Sequence, residues 1–133
     1  MKPFTLPALA LALAIGAAPV AAQTYPSQPI KLIVGYAPGG SVDAFARLVA
    51  PKLGQELGQT IVIENIAGAG GIIGVTRAVH AKPDGYTVLM GIVSDVVIAP
   101  QVQASAKYTY RDLQAVAPLG TSGLAVVLSL IHI

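Results

Sequence analysis

Two glycine-rich stretches carry the residues best placed for chemistry in this chain, and the chemistry they suit is the capture of an anion by backbone amides. The first is Tyr36-Ala37-Pro38-Gly39-Gly40-Ser41-Val42-Asp43. The second is Asn65-Ile66-Ala67-Gly68-Ala69-Gly70-Gly71-Ile72-Ile73-Gly74. At Gly39, Gly40, Gly70 and Gly71 no Cβ stands between a ligand and the main-chain N–H groups. A helix starting directly after each stretch would add unpaired donors and a partial positive charge. Two such ends aimed at one point hold a carboxylate without any arginine. Glycine turns are also the ordinary way to join two elements. The equivalent placement of two of them is what points to binding.

Other chemistries fit less well. Gly68-Ala69-Gly70-Gly71-Ile72-Ile73-Gly74 has its third glycine one position late for a dinucleotide fingerprint, and Asp95 is a weak match for the ribose-binding acid. No lysine followed by Ser or Thr marks a phosphate loop. Ser41 and Ser94 have no histidine nearby in sequence, and His80 sits beside a turn. Asp43 stands at a helix start, where a carboxylate more often caps backbone amides than acts as a base. Its use as a base, or that of Asp95, defines the least favoured alternative, a secreted enzyme. Ser94 and Asp95 follow a third strand and are expected to line the same pocket. Asp95 would repel an acid unless it faces an amine, which hints at an amino-acid or amide ligand. His80 and His132 are far apart and cysteine is absent, so neither a metal site nor a cofactor is expected.

The elements that must position these loops are readable from periodicity. Residues 30–36 form a buried apolar strand. From Ser41 to Leu57 the apolar residues Val42, Phe45, Ala46, Val49, Leu53 and Leu57 recur at helical intervals. Pro51 is expected to kink that helix, and Gly58 ends it. A β-branched strand covers 60–64, a second helix 72–81, a turn 82–85 and a third strand 87–93. Residues 96–104 are a short helix or irregular, 108–113 a surface turn, and 115–127 contain a further strand. Alternation of strand and helix at this spacing implies an α/β fold with a mainly parallel sheet covered on both faces. In such sheets ligands bind beyond the carboxyl ends of the strands, where both glycine loops fall.

With 133 residues, 54% of them hydrophobic and 11% charged, the chain is one globular domain and not a disordered segment. Part of the apolar excess lies in residues 1–22, where Lys2, an apolar run and Val20-Ala21-Ala22 make a cleavable secretory signal. The apolar run is too short for a membrane span. Beyond it the bases Lys31, Arg47, Lys52, Arg77, Lys82, Lys107 and Arg111 nearly balance the acids. The pI of about 9.0 therefore marks no basic stripe and no nucleic-acid partner. Export without cysteine suits the bacterial periplasm. Residues 128–133 are expected to be a non-native, adapter-derived tail, because a chain stopping inside an open sheet would leave an unprotected edge.

The motifs Gly39-Gly40-x-x-Asp43, Ala46-Arg47, Leu57-Gly58-Gln59, Glu64-Asn65, Gly68-Ala69-Gly70-Gly71, Pro83-Asp84-Gly85-Tyr86-Thr87 and Leu89-Met90-Gly91 occur in an order and spacing that resemble the Bug-type solute-binding family of tripartite tricarboxylate transporters. The resemblance implies the N-terminal lobe, residues 23–127, of a two-domain periplasmic-binding-protein fold of the type II, Venus-flytrap kind. It implies a monomer that delivers a small organic acid or amino-acid-like ligand to membrane permease subunits. It implies that Tyr36, Ala37, Pro38, Gly39, Gly40 and Ser41, with Gly68, Ala69, Gly70, Gly71 and Ile72, surround the ligand carboxylate, while Asp43 is structural. A sensor passing ligand occupancy to a membrane kinase is the alternative. Ile66-Ala67 stands where the family often has Arg-Pro and Ile72 where it usually has Asn, so ligand identity does not follow.

Overall fold

The structure, a computed structural model, describes residues 24–121. Strand β1 (Ile30–Val34) is buried except at Lys31, as expected of a β-branched apolar run flanked by strands on both sides and helices on both faces. It pairs in parallel with β2 (Ile61–Asn65) on one side and β3 (Thr87–Met90) on the other, giving the order β2-β1-β3. Ile30 lies opposite Ile61, and Lys31 opposite Thr87.

Helix α1 (Ser41–Leu57) runs with Pro51 inside it and stops where Gly58, at φ 65°, turns its N–H back to the Gly54 carbonyl. Ala46 of α1 packs on Leu32, Val34 and Met90, with Val42, Ile61, Ile63 and Val88 around them. Helix α2 (Ile72–Val79) buries Ile72 and Val75 in a second cluster with Ala99 and Tyr108, flanked by Leu89 and Leu113. Val88 and Met90 thus serve one cluster and Leu89 the other, the alternation of a strand covered on both faces.

The third strand ends at Met90, three residues before its expected end. The Asp95 carboxylate accepts the Ile92 N–H at 2.9 Å, and the Val96 N–H reaches the Ile92 carbonyl at 3.1 Å. These local bonds turn the chain away from the sheet ladder. A π-helical turn (Ser94–Ile98) and the short helix α3 (Ala99–Val102) follow, where the sequence left a choice between helix and irregular chain. A 3₁₀ turn at Tyr110–Asp112 is closed by reciprocal Thr109 and Asp112 bonds. Residues 114–121 form no strand, and the rest of the strand expected over 115–127 lies outside the described residues. So do the signal segment and the tail.

Candidate carboxylate-binding loops

Both glycine loops lie at the carboxyl edge of the sheet, one after β1 and one after β2, and the chain after β3 joins them there. Asp43, in the first turn of α1, ties the edge together. Its side chain is 2% exposed. It accepts the Gly39 N–H at 2.8 Å and the Arg47 guanidinium at 2.8 Å through Oδ2, and the Asn65 amide at 2.9 Å through Oδ1. Asn65 also donates to the Tyr36 carbonyl at 3.1 Å. Arg47 first, then Gly39 and Asn65, hold the Asp43 carboxyl well below the usual carboxylate range. Asp43 is therefore a satisfied internal brace.

Close main-chain approach fixes the second loop on the first. A Cβ on Gly74 would lie 2.6 Å from the Gly35 Cα, and one on Gly35 would lie 3.1 Å from the Gly71 carbonyl oxygen. Gly68, Gly70 and Gly71 take φ of 142°, 64° and 97°, and Ala69 is also positive at 49°. Such a run of positive-φ residues is open chiefly to glycine.

The first-turn N–H groups of Ser41, Val42 and Asp43 precede the first intrahelical bond of α1, Ala44 N–H to the Gly40 carbonyl at 2.9 Å. Those of Ala69 and Gly70 precede the first bond of their turn, Gly71 N–H to the Gly68 carbonyl at 3.0 Å. Not every expected contact is on offer. The Gly39 N–H is taken by Asp43, the Gly40 N–H by the Ala37 carbonyl, and the Ile72 N–H by the Ala69 carbonyl. Ile72 sends its side chain into the core. Ala37, Pro38, Ser41, Ala69, Gly70 and Ser94 are exposed, and Tyr36 is half-buried.

Asp95 does not face solvent as a pocket-lining acid would. It is 0% exposed and sits beneath Gly71, where a Cβ would come within 2.8 Å of its Oδ2. Burial pushes its carboxyl up, with the Ile92 N–H and the Tyr36 hydroxyl acting the other way. A carboxylate out of reach of the surface cannot pair with a ligand amine, so the hint of an amino-acid ligand loses its basis. Sequence reasoning gave no role to Arg47, Asn65, Gly35 or Tyr108, whose hydroxyl donates to the Asp95 carbonyl at 2.7 Å. Only the Asp43 and Arg47 spacing of four signalled a pair.

Two clefts lie away from this edge. One of about 690 Å³ runs between α1 and β2, past Arg47, Pro51, Gln59 and Ile61. One of about 340 Å³ lies among Lys31, His80, Asp84 and Thr87 at the opposite end of the strands. Neither touches the glycine loops. Among the described residues no group of three or more His, Asp or Glu could hold a metal ion, and no helix is long and apolar enough to cross a membrane.

Residues 45–130 match the family described as "Tripartite tricarboxylate transporter family receptor". A UPF0065 protein of Bordetella pertussis is 39% identical over 124 residues, which is 92% of this chain and 38% of that one. A solved structure described as a periplasmic transporter is 47% identical with a TM-score of 0.60, over 65% of this chain and 29% of that one. MatC from Rhodopseudomonas palustris with bound malate is 36% identical with a TM-score of 0.61, over 64% of this chain and 29% of that one. The chain thus spans little more than a third of the first of these relatives. The sheet and its helices are part of a periplasmic-binding-protein fold.

Proposed function

The chain belongs to the tripartite tricarboxylate transporter receptor family, and on that footing we propose that it is periplasmic and captures a small carboxylate for a membrane permease. One observation carries the proposal. The N–H groups of Ser41 and Val42, and those of Ala69 and Gly70, come ahead of the first bonds of two turns that share one sheet edge. Arg47, which braces that edge, is bound to Asp43, so the ligand's charge falls to main-chain donors and the α1 terminus. In this reading Tyr36, Ala37, Pro38 and Ser94 shape the walls and the buried Gly71, Ile72 and Asp95 support the second loop. The chemistry is binding and release, with no residue placed for catalysis.

Removing one N–H without disturbing the helix tests this. Ser41 is the first residue of α1, and Gly40 before it is extended at φ −74° and ψ 168°, so proline is tolerated at position 41. Titration calorimetry with malate on the full chain is expected to show Ser41→Pro binding about tenfold more weakly, the worth of one hydrogen bond to a charged group. Ser41→Ala, which keeps the amide, is expected to bind like the parent. Equal malate affinity in parent and Ser41→Pro would overturn the backbone-amide reading.

A further inference from the structure

Asp95 holds the one buried side-chain polar atom without a hydrogen-bond partner among the described residues, its Oδ2. The other oxygen, Oδ1, is bound to the Ile92 N–H. Two groups converge on the orphan. A Cβ on Gly71 would lie 2.8 Å from Oδ2 and 3.1 Å from the Tyr36 hydroxyl, so acid, phenol and turn meet at one point. The Tyr36 hydroxyl meanwhile reaches the Gly70 carbonyl at only 3.4 Å, a long and weak bond. That hydroxyl has one proton and faces two acceptors, the Gly70 carbonyl and the Asp95 carboxylate. The ionisable groups facing Asp95 are Tyr36 and Tyr108, both pushed up first by burial and also by the Asp95 charge, and the Ser94 hydroxyl stands beside Tyr36. None of the ion pairs among the described residues includes Asp95.

We propose that Asp95 and Tyr36 form a proton-controlled latch on the Gly68–Gly71 turn. With Asp95 neutral, its Oδ2–H donates to the Tyr36 oxygen and the Tyr36 hydroxyl donates to the Gly70 carbonyl, which steadies the peptide carrying the Gly71 N–H. With Asp95 ionised, Oδ2 takes the Tyr36 hydroxyl, Gly70 loses its donor, and a negative charge lies under the turn. Resting on the reading that this turn grips a carboxylate, the latch makes capture proton-linked. A bound anion favours neutral Asp95, and affinity falls as pH rises through the Asp95 midpoint by at most about tenfold per unit. Asp95 and Tyr36 act here as positioning residues.

Carbon-13 NMR of the full chain labelled at aspartate carboxyls tests the latch without any ligand. The Asp95 signal, identified by its absence in Asp95→Asn, is expected to titrate above the other aspartates. The Gly70 and Gly71 amide signals are expected to move with the same midpoint. In Tyr36→Phe the carboxyl still titrates but most of the amide movement is lost. An Asp95 midpoint in the ordinary aspartate range, or amide movement undiminished in Tyr36→Phe, would overturn the proposal. Malate titrated below and above the Asp95 midpoint read by NMR adds the binding arm, with tighter binding expected below it. Absence of malate binding on both sides would exclude malate as the captured carboxylate, while the NMR decides the latch independently.

Discussion

At the scale of single residues, the glycines of the two loops differ in what they do. Gly39 takes φ 83° with nothing within 4 Å of a Cβ placed there, whereas at Gly71 (φ 97°) the same Cβ would collide with Asp95. Gly39→Ala is therefore expected to cost about 1–2 kcal/mol of backbone strain and no more. Gly71→Ala adds overpacking and is expected to cost about 2–4 kcal/mol. Urea denaturation of the two variants checks the ranking, and equal losses would remove Gly71 from its place over Asp95. The sequence showed both glycines as loop residues and could not rank them. That ranking depends on Asp95, which is 24 positions further along the chain. A comparable separation hid the role of Asn65, which reaches Asp43 across 22 positions.

Elements were more legible where one local rule governs them. The apolar spacing of α1, with a glycine on either side, marked both of its ends, and the structure runs from Ser41 to Leu57 as expected. Strand β3 was overextended because Ile92 and Val93 have strand propensity, while the Asp95 carboxylate that captures the Ile92 N–H is a competing local bond. Pro51 opposes its helix more strongly than any other residue of α1. It lacks the N–H that would bond the Arg47 carbonyl, and it is exposed, so no packing needs the ring. Pro51→Ala is expected to stabilise the fold by about 1–2 kcal/mol, net of the freedom it returns to the unfolded chain. Thermal melting checks this, and a lower melting temperature would mean the ring holds a bend that the fold requires.

Across the whole molecule the two buried acids set opposite limbs of the pH profile. The Asp43 carboxyl titrates lower when folded, so its contribution is present above the unfolded aspartate value of about 4 and is lost as pH falls through the folded value. The Asp95 carboxyl titrates higher when folded, so its contribution is full below about 4 and is lost as pH rises through the folded value. Stability measured by chemical denaturation is expected to peak near the unfolded aspartate value of about 4 and to decline as pH rises from there. In Asp95→Asn the decline is expected to flatten, and an unchanged upper limb would mean another group causes it. The Asp43 brace reaches further. A carboxylate held by an amide N–H, a guanidinium and a side-chain amide is chemically an acetate bound in a receptor, and the chain supplies that guest itself. Asp43→Ala empties the berth and leaves Arg47 unneutralised. Free acetate is then expected to restore the melting temperature of this variant in proportion to the logarithm of its concentration, while leaving the parent unmoved. A chain altered at one residue would thus become conditional on a solute for its fold.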